Sequence, residues 1–373
     1  MNPSTQIDYT RKLKGSSEKI GMIMEKVKSN SKAGASFLFS IMLVSTAFLT
    51  GCGNAEKGNP EAGPTVHVQY PVMGTTAEIK LYGNPESAKS AADAIRDEFS
   101  AVEKACNRFD DDSELSKLND SAAAEPFRCG DLLWEVLIES KRFYEMTDGS
   151  FDVTVTPLME LWGFYRKRNS LPSADEISEA KKHVGLDKVI FDTVKHTLKF
   201  SDPGIKMDLG GIAKGYAVDR AASAAVEKGI SCGTINLGGN IRCLRNPPPG
   251  KTKYTVGIRD PFNKDVVSGT IQVADTSIAT SGNYEKYVTV GGVKYTHIMD
   301  PGTGSPVHGM IAVTVVTPKG VDSDALSTSV FIKGEDFARK ACSRIKGTSI
   351  LIIRENPANP SKPDMIKTGG VWE

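Results

Sequence analysis

The twenty residues from Ala33 to Cys52 carry no charge, follow a Lys-bearing stretch (Lys26, Lys28, Lys32) and end in Leu49-Thr50-Gly51-Cys52. Such a run has the layout of an export signal rather than of a core element, and it decides how much of the chain is left to fold. Its last four residues resemble a bacterial lipobox, in which cleavage before the cysteine leaves Cys52 to carry diacylglycerol. An uncleaved transmembrane anchor is the alternative, since the run is nearly long enough to span a bilayer. The small residues before Cys52 and the polar segment after it favour the lipoprotein. Residues 1–51 are therefore read as a lipoprotein-type export signal, with Met22 or Met24 as candidate true starts. Residues 52–65 are the lipidated cysteine and a flexible tether of about 20 Å reach, and 66–373 is the folded domain. The expected location is a membrane-anchored lipoprotein facing the periplasm. Gly53 is not the Asp that usually retains such proteins at the inner membrane, and the choice of membrane stays open.

The whole chain has 373 residues, 39% of them hydrophobic, which is ample for a real core and excludes a disordered or collagen-like chain. Lys plus Arg number 46 against 45 Asp plus Glu, so no basic excess points to nucleic acid. The leader holds seven basic and three acidic residues; removing that +4 from the total of +1 leaves about −3 for the mature side chains. Six cysteines show no CxxC or Cys/His spacing for structural zinc. Once Cys52 is lipidated, Cys106, Cys129, Cys232, Cys243 and Cys342 remain, an odd number. An oxidising compartment would permit a disulfide, and Cys106 with Cys129 is the expected pair.

No second linker, long charge run or fixed-period repeat interrupts 66–371, which reads as one folded unit. Mostly β-branched segments bounded by Gly, Asn, Asp or Pro predict strands at 66–70, 76–82, 189–191, 197–200, 206–209, 234–237, 254–258, 270–273, 287–290, 311–316 and 349–353. Periodic apolar spacing predicts helices at 86–106, 132–146, 174–182, 212–228, 324–331 and 335–345. Strands and helices cluster instead of alternating, so the class is α+β, with mainly antiparallel sheets and helices packed on them.

There is no GxxxxGK[ST], HExxH, GxSxG or strand-to-helix GxGxxG. What stands out are polar, Gly-rich clusters at element junctions. Asp208-Leu-Gly-Gly-Ile-Ala-Lys-Gly follows a strand and opens a helix; its glycines allow close approach of a ligand, and free helix N–H groups attract an anion. Lys214 in the first turn opposes the helix dipole unless a phosphate answers it; a plain turn is the alternative. In Asp322-Ser-Asp-Ala-Leu-Ser-Thr, Asp324 and Thr328 are four apart and project oxygens from one helix face, a donor set that suits Mg²⁺. The alternative is that Asp322 or Ser323 is an N-cap and Asp324 only favours the dipole. Ser281-Gly-Asn-Tyr284 and His297-Ile-Met-Asp-Pro-Gly-Thr-Gly form a third region, in which His297 can hold a phosphate, move a proton or do neither. The Gly149-Ser-Phe-Asp run offers Ser150, Phe151 and Asp152 beside an apolar core segment.

Taken in order, these clusters, with Val72-Met-Gly-Thr-Thr76, Asn107-Arg-Phe-Asp-Asp-Asp-Ser-Glu-Leu-Ser-Lys-Leu-Asn119 and Asn236-Leu-Gly-Gly-Asn240, resemble the ApbE family of FAD:protein FMN transferases. The resemblance implies a T-fold-like α+β architecture, FAD as substrate, Mg²⁺ as cofactor, and transfer of FMN to a Thr hydroxyl of an acceptor flavoprotein with release of AMP. Usual acceptors in the family are subunits of the Na⁺-pumping NADH:quinone reductase and Rnf complexes, of the NqrC or RnfG type. The family pattern implies Gly211, Asp324 and Thr328 as metal ligands, and His297, Asp324 and Lys214 as the catalytic set. It implies Met73, Phe109, Ser150, Phe151, Asp152, Lys214, Ser281, Gly282, Asn283, Tyr284 and His297 around FAD. Two rival readings keep the site: a Mg²⁺-dependent FAD pyrophosphatase that gives FMN and AMP, and a non-catalytic FAD-binding lipoprotein.

Overall fold

A computed structural model describes residues 63–263, 265–359 and 362–372; the expected export signal, Cys52 and most of the expected tether lie outside the described residues. In chain order come β1 (Val66–Val72), β2 (Thr75–Tyr82), α1 (Pro85–Cys106), α2 (Glu114–Ser121), β3 (Phe127–Arg128), α3 (Asp131–Met146), α4 (Thr156–Leu161) and α5 (Ala174–Lys182). There follow β4 (Val189–Asp192), β5 (Thr197–Phe200), α6 (Ala213–Glu227), β6 (Cys232–Leu237), β7 (Asn240–Cys243), β8 (Tyr254–Arg259), β9 (Val267–Val273) and β10 (Thr276–Gly282). The last are β11 (Tyr287–Val290), β12 (Val293–Thr296), β13 (Met299–Asp300), β14 (Ser305–Pro306), β15 (Met310–Thr317), α7 (Gly320–Lys333), α8 (Glu335–Arg344), β16 (Ser349–Arg354) and β17 (Asp364–Thr368).

Eight strands form one sheet in the order β1-β2-β6-β7-β10-β15-β16-β17, and each neighbouring pair is antiparallel. The α+β class read from the sequence is the class of the structure. Strand β2 shows why one face takes helices: Ala77, Ile79 and Leu81 are buried while their neighbours stay accessible, and the buried set joins the core made with α1 and α6. Helix α1 answers with Ala88, Ala91, Ala92, Ile95, Phe99 and Val102 on one stripe. Its start is fixed by Asn84, whose side chain accepts the amides of Glu86 and Ser87, with Pro85 in the first turn. Strand β15 is buried along all eight residues, because helices cover one face and the β8–β9 hairpin covers the other with Tyr254, Val256, Ile258, Ile271 and Val273.

Register brings the loops that matter to one end of this sheet. Val72 pairs Thr75 at the β1–β2 turn, Ala77 pairs Leu237 beside the β6–β7 turn, and Gly282 pairs Ala312. The Met73 turn, the Gly238–Gly239 turn and the Ser281–Tyr284 run therefore share that end.

Several expectations need correction. Residues 206–209 form no strand: Met207 gives its amide to Asn119 Oδ1 at 2.7 Å and its carbonyl takes Asn119 Nδ2 at 3.0 Å, so a side chain replaces a strand neighbour. The helix expected at 324–331 begins at Gly320, and neither Asp322 nor Ser323 caps it. Lys319 is the N-cap residue; Asp322 pairs with Arg142, and the Ser323 hydroxyl donates to Gly320 O at 2.9 Å. Strand β10 falls in a Ser/Thr/Gly-rich stretch with no strand expectation. Cys106 and Cys129 are buried free thiols, not a disulfide. Among the described residues no helix is long and apolar enough to cross a membrane.

Candidate functional site

Helices α6 and α7 meet without side chains between them. A Cβ on Gly215 would stand 2.2 Å from Gly320 O and 2.6 Å from Asp324 Cβ, and one on Gly320 would stand 2.4 Å from Gly215 O. Glycine is required at both positions because backbone occupies the space. The close approach is fixed by two acids acting in opposite directions. Asp324 Oδ2 accepts the Gly215 amide at 2.9 Å, one of the free N–H groups in the first turn of α6. Asp219 on α6 accepts the amides of Gly320 and Val321, at 2.6 and 2.9 Å, in the first turn of α7.

Asp324 is 5% exposed. Thr328, four residues on, shares its helix face and adjoins the loop before α6, since a Cβ on Gly211 would lie 3.6 Å from Thr328 Oγ1 and 3.4 Å from the Phe151 ring. Gly211, Asp324 and Thr328 are thus brought together by α7 and the α6 N-terminus, although more than a hundred residues separate Gly211 from the other two. These are hard oxygen donors of the kind Mg²⁺ takes with water or phosphate. Among the described residues no group of three or more His, Cys, Asp or Glu converges as a metal site, so an ion here would combine the one Asp324 carboxylate with hydroxyl, carbonyl and ligand oxygens. Lys214 Nζ lies 3.8 Å from Asp324 Oδ2 and donates to Gly210 O at 2.7 Å; the cation that the helix start disfavours is answered by a carboxylate and a carbonyl.

Ser281 Oγ meets Ser327 Oγ at 2.7 Å, tying the end of β10 to α7. Asn283 is held by its amide to Ile311 O and by Nδ2 to Met310 O. A side chain on Gly282 would have to displace the Tyr284 ring, which would stand 2.6 Å from its Cβ. Burial raises the Tyr284 pKa, with Glu285 acting in the same direction, so the hydroxyl stays protonated.

His297 follows β12, is half-buried and lies with Nδ1 3.0 Å from the Lys286 carbonyl. A carbonyl only accepts, so the neutral ring carries its proton on Nδ1 and leaves Nε2 free as a base. Burial first, then the charges of Lys286 and Lys214, push its pKa down to about 4, against the Lys286 carbonyl and Asp208. The imidazole is neutral at pH 7 and lies within the field of Lys214 and Asp208.

The remaining candidates are placed as follows. Phe109 is 69% exposed and sits edge-on to Tyr165 with centroids 5.5 Å apart. Phe151 is buried, gives its amide to Thr147 Oγ1 and packs edge-on against Phe143; half-buried Ser150 lies beside it. The Asp152 carboxylate is taken by Thr154, at 2.8 Å from the amide and 2.6 Å from the hydroxyl, and burial pushes its pKa up to about 6. That carboxylate braces the loop in which it sits. Met73 has a left-handed φ of 52°, and its amide donates to Glu103 Oε1 at 2.9 Å; the turn lies at the same sheet end.

Sequence reading passed over Asp208, Arg108 and Tyr165. Asp208 Oδ1 accepts the Gly210 amide at 2.7 Å and Oδ2 accepts the Tyr165 hydroxyl at 2.8 Å. The Arg108 guanidinium lies 4.0 Å from the Tyr165 ring centroid. Asp208 and Arg108 stood inside recognised runs, but no spacing rule joins them to Tyr165. A cavity of about 390 Å³ is lined by Tyr165 with Trp162, Phe164, Lys167, Arg168 and Val288. A groove of about 1040 Å³, lined by Trp134, Tyr216, Asp219, Arg242 and Lys319 among others, holds none of the candidate residues. Convergence of donors, not size, locates the site.

The model of the ApbE family matches residues 73–352. The chain belongs to the ApbE family. It is 32% identical over 309 residues to the FAD:protein FMN transferase of Vibrio cholerae, covering 79% of this chain and 87% of that protein. To the FAD:protein FMN transferase of Haemophilus influenzae it is 32% identical over 294 residues, 76% of this chain and 84% of that protein. Among solved structures, the flavin transferase ApbE from Vibrio cholerae superposes with a TM-score of 0.71 at 29% identity, over 81% of this chain and 96% of that one. The ApbE protein from Thermotoga maritima gives 0.70 at 34% identity, over 78% and 94%. The T-fold-like ApbE architecture expected from the resemblance is therefore the architecture of this chain, and the chain is an enzyme of the transferase class.

Proposed function

We propose that this ApbE-family chain transfers the FMN part of FAD to a threonine hydroxyl of an acceptor protein and releases AMP, with Mg²⁺ required. The observation that carries this reading is the meeting of Asp324, Thr328 and Gly211 beside Lys214, where oxygen donors and an ammonium stand together at a helix start. Mg²⁺ held by those oxygens would supply charge neutralisation to a diphosphate. Lys214 adds a positive charge that can leave the Gly210 carbonyl for a phosphate oxygen. His297 offers Nε2 to take the proton of the attacking hydroxyl. The oxygen–phosphorus bond to FMN forms as the bond to AMP breaks, so the acceptor ends as a phosphoester and AMP as a monoester. Phe109, exposed and backed by Tyr165, presents an aromatic face for the flavin.

The wider setting belongs to the same proposal. Cys52 carries the lipid, the domain faces the periplasm on its tether, and the acceptor is an exported flavoprotein subunit of NqrC or RnfG type. The test is to incubate the full chain with FAD, Mg²⁺ and candidate acceptors, then read flavin fluorescence after denaturing electrophoresis. A labelled acceptor band that disappears when its threonine is replaced supports transfer. Free FMN and AMP without a labelled band would mean that water is the acceptor, and FAD recovered intact would mean binding without catalysis.

A further inference from the structure

We propose that Arg108 is a positioning residue: through Tyr165 and Asp208 it fixes the turn that carries Gly211, and so sets where the loop and Lys214 stand relative to Asp324. This inference rests on the metal reading above for its functional meaning, but its structural content can be tested separately.

The Arg108 side chain is 13% exposed, yet its buried Nε and Nη1 have no hydrogen-bond partner. Unanswered N–H groups on a buried cation are costly, so the contacts that do hold this arginine matter. It is held by rings and charges. The Tyr165 ring centroid lies 4.0 Å and the Phe109 centroid 5.1 Å from the guanidinium carbon. Nη2 donates to Glu160 Oε1 at 3.2 Å, and Nε stands 3.9 Å from Asp208 Oδ2. The guanidinium carbon lies over the Tyr165 ring, a contact to which a planar guanidinium is better suited than a lysine ammonium.

From there each link is a hydrogen bond. Tyr165 donates to Asp208 Oδ2, Gly210 donates to Asp208 Oδ1, and Lys214 donates to Gly210 O, at 2.8, 2.7 and 2.7 Å. Burial, with the Asp208 charge acting in the same direction and Arg108 against it, holds the Tyr165 pKa well above the usual phenol range, so the hydroxyl remains a donor. The turn is closed tightly around the acid, since a Cβ on Gly210 would lie 2.9 Å from Asp208 Oδ1. If Asp208 swings, the turn opens and takes Gly211 and the Lys214 anchor with it. Groups that orient ligand residues from behind commonly change metal affinity by about ten- to a hundred-fold.

The test compares R108M, R108K and Y165F with the unmodified full chain. Mn²⁺ serves as the metal probe, read by electron paramagnetic resonance in the presence of FAD, and FAD binding without metal is read by flavin fluorescence. R108M and Y165F are expected to weaken Mn²⁺ binding about tenfold or more, and in Y165F, which keeps both aromatic rings, metal-free FAD binding should change far less. R108K should recover part of the loss, having the charge without the plane. Amide exchange across 208–213, followed by mass spectrometry, should be faster in both R108M and Y165F. If R108M does not fold, Y165F, which deletes one hydroxyl, decides alone. Unchanged Mn²⁺ affinity with unchanged exchange in Y165F overturns the inference. An unmodified chain that binds no Mn²⁺ overturns the metal reading instead, and the exchange measurement then still decides whether Arg108 and Tyr165 hold the turn.

Discussion

Replacing Gly215 by alanine adds one methyl group at the point where α6 and α7 touch. Alanine is the better helix former by about 1 kcal/mol, and on an exposed helix the change would stabilise. Here the new Cβ would lie 2.2 Å from Gly320 O and 2.6 Å from Asp324 Cβ. Both neighbours are fixed to α7 backbone and no side chain can rotate away, so the helices must part by roughly 1 Å in a close-packed interior. Overpacking of that kind costs about 1–3 kcal/mol, and stretching the Gly215-to-Asp324 bond adds about 1 kcal/mol. The propensity gain offsets only about a third of this, leaving a net loss of about 1–3 kcal/mol, or a fall of several degrees in melting temperature. G215A should also raise the Mg²⁺ concentration needed for half-maximal labelling, because Asp324 moves with its helix. Thermal unfolding and the labelling assay measure the two effects. G269A is the control, since nothing lies within 4 Å of a Cβ at Gly269. A G215A protein as stable as the unmodified chain, with the same Mg²⁺ requirement, would refute the reasoning.

D324N keeps the shape but removes the charge and is expected to lower the Mg²⁺-dependent rate about a hundredfold; an unchanged rate at saturating FAD would remove Asp324 from the chemistry. His297, with its pKa pushed down to about 4, should give an acid limb near pH 4 instead of near 6.5, and H297Q should abolish that limb. The folded state binds fewer protons than the unfolded one between those values, so the histidine's contribution to stability is complete above pH 6.5 and is lost as pH falls toward 4. Urea titrations at pH 7 and pH 5 should show that loss shrinking in H297Q. Burial pushes the Cys106 and Cys129 thiols up to about 12, so both should resist iodoacetamide at pH 7.5 until the chain is unfolded, and non-reducing peptide mass spectrometry should find them unlinked.

Periodicity carried the long helices: α1 was legible from its apolar stripe, and α5 from its flanks. Strand β10 was not, because Thr-Ser-Ile-Ala-Thr-Ser-Gly has the composition of a turn and becomes a strand only through its neighbours β7 and β15. The 206–209 segment fails in the opposite direction, since its apolar alternation is real but its partner is the Asn119 side chain. At the site, Asp324 and Thr328 could be seen as one face of one helix. Their relation to Gly211 needed the fold, and so did the link of Arg108 to Tyr165 and Asp208 across distant segments. Gly215 was visible as a glycine in a motif, but its reason is Gly320, and no local pattern connects the two. The orientation of His297, with Nδ1 given to a carbonyl eleven residues back, follows from a hairpin that sequence alone cannot close.

The two acids at the helix crossing also bear on how the enzyme adapts to its substrates. Because Asp219 plugs the start of one helix and Asp324 plugs the start of the other, the pair is clasped at both ends of the contact and moves as one stiff body. A ligand that required the two helices to separate would have to break both clasps at once.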